Sequence, residues 1–169
     1  MKEIIHNKNN LTEEDITERV YRARGVIINS KNEILLGVYH NTYQFPGGHL
    51  EEGETLEDTL RREIQEETGI VIEYKKYKPF YTIKHYSKDY PSEGINRYTE
   101  LNYYEILTDD KFDTGNMDLS ENERLNNYTL KYVNLDNFEE FLNETINDNS
   151  KNKIVYGEMK DIVKELLNK

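Results

Sequence analysis

Apolar and polar positions repeat with two different periods along this chain, and the change of period marks its elements. Residues 22–28 and 33–39 read as the two strands of a hairpin, joined by the polar turn Asn29-Ser30-Lys31-Asn32. Between Leu56 and Glu67 the period lengthens, with Leu56, Leu60 and Ile64 four apart on one helix face. Residues 71–74, 80–86 and 97–107 return to strand character, and residues 131–135 read as a last edge strand. Residues 40–44 and 87–96 read as loops, the second holding Pro91 and Gly94. Asp136 is the expected N-cap of an amphipathic helix from Phe138 to about residue 146. A polar linker at 147–152 then leads to a C-terminal helix over about 154–167. Residues 1 to about 18 are a weakly patterned polar extension, in which Thr12, Glu13 and Glu14 suit a short helix start. Strands before and after one central helix, with further helices at the end, predict an α/β fold. With no internal repeat, residues 1–169 read as one domain.

Composition narrows the chemistry. Mean hydropathy is −0.92 and 36% of residues are hydrophobic, which is polar, but 14 Tyr and five Phe supply aromatic surface for a core. The absence of Cys excludes disulfides and thiolate metal sites and suits a reducing compartment. The N-terminus carries no apolar run of signal-peptide length and no stretch approaches a membrane span, so a cytoplasmic location is expected, without a membrane partner. A net charge of −11 opposes binding of long nucleic acid through its phosphates. A small phosphate-bearing substrate remains compatible if metal ions bridge it to carboxylates.

The central helix carries the sharpest signal. Advancing by about 100° per residue from Glu63 puts Glu66 near −60° and Glu67 near +40°. Leu56, Leu60 and Ile64 fall at about 20° to 100°, so Glu63 and Glu67 lie beside the apolar stripe, away from Glu57, Asp58, Arg61 and Gln65 on the solvent face. Partly buried like charges repel and desolvate poorly unless a cation neutralises them. An ordinary acidic surface helix would put these carboxylates on the other side. Gly47 and Gly48 form a sharp turn before the helix, and Gly69 closes it.

The full spacing is Gly48, five residues, Glu54, seven residues, then Arg62-Glu63-Ile64-x-Glu66-Glu67-x-Gly69-Ile70. It resembles the signature box of the Nudix hydrolases at every fixed position. The likeness extends over the hairpin, the Phe45-Pro46-Gly47-Gly48 lead-in and the Tyr132-Val133-x-Leu135 segment, roughly residues 22–142. This resemblance implies a Nudix-type α/β/α sandwich with a mixed β-sheet between helices. It also implies Mg²⁺- or Mn²⁺-dependent hydrolysis of the pyrophosphate of a nucleoside diphosphate derivative, with water attacking phosphorus. Hard oxygen ligands suit those ions.

By the same resemblance Glu63, Glu66, Glu67 and the Gly48 carbonyl are the metal ligands, and Glu66 or Glu67 takes part in catalysis. Arg62 orients the carboxylates, with a plain surface ion pair to Glu66 as the alternative. Some members place the base on a later loop, which makes Glu121 and Glu123 candidates, Glu123 the nearer choice; both also read as solvated acids. Arg22 and Arg24 are candidate phosphate binders on the strand that often faces substrate. Tyr86, about 16 residues past the box, resembles the diadenosine-polyphosphate hydrolases and is a candidate substrate contact. Glu54 reads as a brace for the helix start. A homodimer is compatible with the family. The alternative function is a Nudix-fold domain that binds a nucleotide or sugar nucleotide without hydrolysing it.

Overall fold

A computed structural model describes residues 1–146 and 150–168. They form an eight-stranded mixed sheet with helices on both faces. In chain order the strands are β1 (Lys2–His6), β2 (Glu18–Ile28), β3 (Glu33–Tyr39), β4 (Thr42–Gln44), β5 (Gly47–His49), β6 (Tyr77–Ser87), β7 (Arg97–Leu107) and β8 (Thr129–Asn134). The helices are α1 (Leu56–Thr68), α2 (Glu121–Leu125), α3 (Phe138–Thr145) and α4 (Ser150–Leu167). The sheet runs β1-β6-β7-β2-β3-β4, with β5 on β2 and β8 on β3. β1 lies parallel to β6 and β2 parallel to β7; the remaining pairings are antiparallel.

Alternation along each strand sorts the side chains into two cores. Ala23, Ile27, Leu35, Tyr104 and Ile106 face α1 and its Leu60 and Ile64. Val26, Leu36, Ile83, Leu101 and Tyr103 face α3 and α4, where Phe138, Leu142, Tyr156, Met159 and Ile162 meet them. The central strands carry apolar residues on both faces because both faces are covered.

α1 begins and ends as its caps require. Thr55 and Asp58 exchange a capping box, and Gly69 takes the left-handed conformation (φ 74°) with its amide on the Gln65 carbonyl.

Five expectations change. Residues 71–74 are not a strand: Ile70 and Ile72 pack into the α1 core, but no strand edge is offered to their backbone. Residues 2–6, read as unpatterned, form β1; only Ile4 packs inward there, so hydrophobic period gave little sign of it. The 40–44 loop contains β4, turned by His40 and Asn41, both at positive φ without a glycine. α3 is capped in position by Asn137, while Asp136 lies in a preceding 3₁₀ turn and accepts from the Asn32 amide. Of the 147–152 linker, 147–149 lie outside the described residues, and 150–152 belong to α4, whose Asn152 is buried.

Candidate functional site

The site forms where β2, β5 and α1 meet. β5 lies antiparallel on β2, with Arg22 opposite His49 and Arg24 opposite Gly47. The two arginines therefore stand beside the glycine turn that leads to α1. Gly47 adopts φ 137°, and a Cβ there would strike the Ala23 carbonyl. A Cβ on Gly48 would collide with the Glu63 carboxylate, so the turn holds that carboxylate close against its backbone.

Together these elements line a cleft of about 640 Å³, with Arg22, Arg24, Arg62, Glu63, Glu66 and Glu67 on its walls and Glu123 at its rim. Eight of the nine site residues singled out from the sequence, Gly48 among them, thus come together. Tyr86 does not: it lies on β6, donates to Glu13 at 3.0 Å and packs edge-on to Tyr98.

The three carboxylates of α1 differ in their surroundings. Glu67 is 4% exposed and accepts from the Gly47 amide at 2.8 Å and the Tyr128 hydroxyl at 3.1 Å. Burial is the largest influence on it and raises its pKa to about 8, with Glu63 and Glu123 adding to the rise and Arg24 opposing it. Burial also raises the Glu63 pKa, against the pull of Arg62. Glu66 opens to the cleft and reaches Arg62 Nη1 at 3.2 Å.

Arg62 is the hub of this wall rather than a simple surface pair. Its Nε and Nη2 grip both oxygens of Glu54 at 2.6 and 2.9 Å, Nη1 donates to Glu63 at 2.8 Å, and Nη2 also reaches the His49 carbonyl at 3.1 Å. Arg62 holds the Glu54 carboxyl down at about 2, with Thr59 and the Glu51 amide assisting. Glu54 thereby braces the turn against the helix.

On the opposite wall Arg24 donates to the Phe45 carbonyl. Arg22 is pushed down to about 10, first by burial and then by Arg24, and its Nε is buried without a hydrogen-bond partner. His49 is pushed down to about 4 by burial and the neighbouring arginines. This wall thus carries permanent positive charge and one unused donor.

Glu123 sits on α2, where Ser120 N and Oγ hold its carboxylate at 2.7 and 2.8 Å. Glu121 is exposed on the same short helix.

Sequence reasoning missed Tyr128 and Asp118. Tyr128 follows no periodic pattern, yet a glycine inside β3 signals it: a Cβ on Gly37 would overlap the Tyr128 ring. Asp118 also lines the cleft, and its amide binds the Glu66 carbonyl at 3.0 Å.

The donor set fits a hard divalent cation. Its ligating atoms are all oxygens, Gly48 leaves room where a side chain would block Glu63, and Glu67 is buried on two neutral donors with its charge incompletely offset. Glu63, Glu66, Glu67 and the Gly48 carbonyl are the groups that would hold it.

None of the described helices is long and apolar enough to cross a membrane. Comparison with known proteins matches residues 19–152 to the NUDIX domain model. A curated relative, the NAD-capped RNA hydrolase NudC of Vibrio parahaemolyticus, is 35% identical over 95 residues, which cover 49% of this chain and 36% of that protein. The 8-oxo-dGTP diphosphatase of Escherichia coli is 41% identical over 58 residues, covering 31% of this chain and 45% of that one. The chain thus spans less than half the length of either relative. Among solved structures, the NUDIX domain of Shewanella oneidensis NrtR complexed with ADP ribose superposes with a TM-score of 0.55 at 18% identity, covering 78% of this chain and 82% of that one. At such identity the likeness speaks for the fold, the same mixed sheet between helices. With the family model running from the start of β2 into α4 across the whole cleft, this chain belongs to the NUDIX domain family.

Proposed function

We propose that the chain is a metal-dependent pyrophosphohydrolase of a small nucleoside diphosphate derivative. The observation that carries this reading is the gathering of both charges in one cleft: carboxylates from α1 and, from β2, Arg24 and Arg22 with its unused buried Nε. Such a cleft suits a phosphoanhydride, whose oxygens need positive partners and whose charge a divalent cation can share. The relatives named for NAD-capped RNA and 8-oxo-dGTP support a nucleotide substrate. The net charge of −11 favours a small one.

Bound at Glu63, Glu66, Glu67 and Gly48, Mg²⁺ or Mn²⁺ would polarise the phosphoryl group and lower the pKa of a water. Arg22 and Arg24 hold the phosphate oxygens and orient phosphorus towards that water. Arg62 keeps Glu63 and Glu66 in place from behind. Glu66 and Glu123 are the two base candidates; each has one oxygen engaged, Glu66 Oε2 by Arg62 and Glu123 Oε2 by Ser120. Tyr86 has no part in this scheme.

The test is a phosphate-release screen over nucleoside triphosphates, oxidised nucleotides, ADP-ribose, sugar nucleotides and dinucleoside polyphosphates, with Mg²⁺ and with Mn²⁺. Turnover of at least one class, absent under chelation, is expected. Nucleotide binding without hydrolysis in any condition would replace this reading with that of a non-catalytic binding domain.

A further inference from the structure

A second cluster of metal-ligating side chains lies outside the cleft. His6 ends β1, His85 is its register partner on β6, and Glu158 reaches them from α4. Among the described residues this is the one group of three His, Cys, Asp or Glu whose ligating atoms all lie within 4.8 Å of one another. The two imidazoles stack face to face, with centroids 4.8 Å apart and planes 18° from parallel.

The Glu158 carboxylate gives the informative detail. Its Oε1 is buried and accepts no well-aligned hydrogen bond, and its near neighbour is His85 Nε2 at 2.9 Å, an ion-pair contact. Two ligating atoms held this close, with poor hydrogen-bond alignment, can open slightly to face a common third atom. A buried carboxylate oxygen needs a positive partner, and a bound cation fills that role more fully than an imidazole alone. A tetrahedral shell with metal–ligand distances near 2.0–2.2 Å sets its ligand atoms roughly 3.4 Å apart, a spacing between the 2.9 Å of the His85–Glu158 pair and the 4.8 Å that bounds the group. His6 and His85 also line an open cleft of about 360 Å³, which leaves room for a water as fourth ligand.

We propose that His6, His85 and Glu158 bind a transition-metal dication of the Zn²⁺ class, clamping β1 and α4 to the edge of the sheet. Two imidazoles and a carboxylate select borderline ions such as Zn²⁺ or Co²⁺, whereas the all-oxygen donors of the α1 cleft select Mg²⁺ or Mn²⁺. His6 and Glu158 fall outside the family match at 19–152 and His85 inside it, so the site joins the flanking segments to the family domain. The addition needs fastening. β1 is an edge strand that places only Ile4 against the core, and beyond its ladder to β6 its side-chain ties are the partly exposed pairs Lys2–Glu165 at 3.0 Å and Glu3–Lys84 at 2.6 Å. A metal joining the last residue of β1 to the middle of α4 would fasten both ends of the chain at once.

Co²⁺ is the probe, because its visible absorption distinguishes a low-coordinate nitrogen-containing site from the hydrated ion. The whole chain, held in saturating Mg²⁺ to fill the α1 cleft, is titrated with Co²⁺. One equivalent should bind with an absorption band several times stronger than that of aqueous Co²⁺, and Zn²⁺ should displace it. His6→Gln, His85→Gln and Glu158→Gln should each weaken binding by on the order of a hundredfold. Glu67→Gln should leave it unchanged. His6 is exposed at a strand end, so its variant keeps the test alive if either of the other two fails to fold. A Zn²⁺-dependent rise in Tm, lost in His6→Gln, is the second readout. The proposal is overturned by a Co²⁺ spectrum that remains hydrated, by a signal that survives His6→Gln, or by one that disappears with Glu67→Gln.

Discussion

Glu54 precedes α1 and Glu67 sits in its last turn, and the protein treats the same side chain in opposite ways. Glu54 is gripped by both arms of Arg62 and held down at about 2, a carboxylate whose charge is answered within the fold. Glu67 is buried on an amide and a hydroxyl and pushed up to about 8, a carboxylate whose charge is not. One arrangement stabilises the protein as it stands. The other is costly to the isolated chain and becomes favourable when a cation arrives. Charge compensation therefore separates the bracing end of the helix from its working end more clearly than residue type does.

Breaking the working end should have the largest effect. Glu67→Gln keeps the shape and the partners of the side chain but loses a charged ligand for a hard cation. Turnover is expected to fall by on the order of 10² or more, with the circular dichroism of the metal-free protein unchanged. Near-wild-type turnover on a substrate the wild type accepts would remove Glu67 from the mechanism.

Breaking the bracing end should act on stability first. In Glu54→Gln the guanidinium of Arg62 loses its bidentate partner, a pair about one-fifth exposed on each side. A loss of about 1 kcal/mol is expected from urea denaturation, with activity reduced by on the order of tenfold as Glu63 and Glu66 lose their support. Should turnover fall as far as in Glu67→Gln while stability holds, the division between the two ends is wrong.

A pH series on the metal-free protein sharpens the comparison. The Glu67 pKa is raised in the folded state, from the ordinary 4.5 to about 8. Across that window the native state binds more protons than the unfolded chain, so stability should fall as pH rises. Glu54 has the opposite sign: its contribution is present above about 4.5 and disappears as pH falls towards 2. Thermal melts between pH 5 and 8 should therefore show a downward slope in wild type that Glu67→Gln flattens, a difference of about 1 kcal/mol or more at pH 8. Parallel curves for the two proteins would mean that Glu67 is not strained without metal.

How much of this was legible in the sequence follows from how local each cause is. α1 was readable because its period, its Gly69 stop and the burial of Glu67 all follow from spacing within one helix. The mixed sheet between helices followed from the order of elements. The partners of Glu67 were not readable, since Tyr128 is 61 residues away and only the glycine at 37 hints at its approach. β1 escaped because an exposed edge strand need not alternate cleanly, and 71–74 misled because apolar residues packing beneath a helix mimic a strand. Arg62 was readable as a neighbour of Glu66 but not as the hub for Glu54, whose loop brings it in from eight residues away. Tyr86 met a positional likeness, yet its side chain is committed to Glu13.

The smallest expected effect is the control that gives the others meaning. Glu57 lies on the same helix, carries the same charge and is exposed on the solvent face. Glu57→Gln removes one negative charge from the first turn, where it interacts with the helix dipole, so stability should fall by no more than about 0.5 kcal/mol. Turnover and its dependence on Mg²⁺ concentration should not change, because the charge faces water and is screened over roughly 8–10 Å at ordinary salt. The comparison between the two ends of α1 rests on position and enclosure rather than on the total charge of the helix. If Glu57→Gln lowered turnover to the level of Glu67→Gln, total charge would be the governing quantity, and the distinction between a braced and an uncompensated carboxylate would lose its functional content.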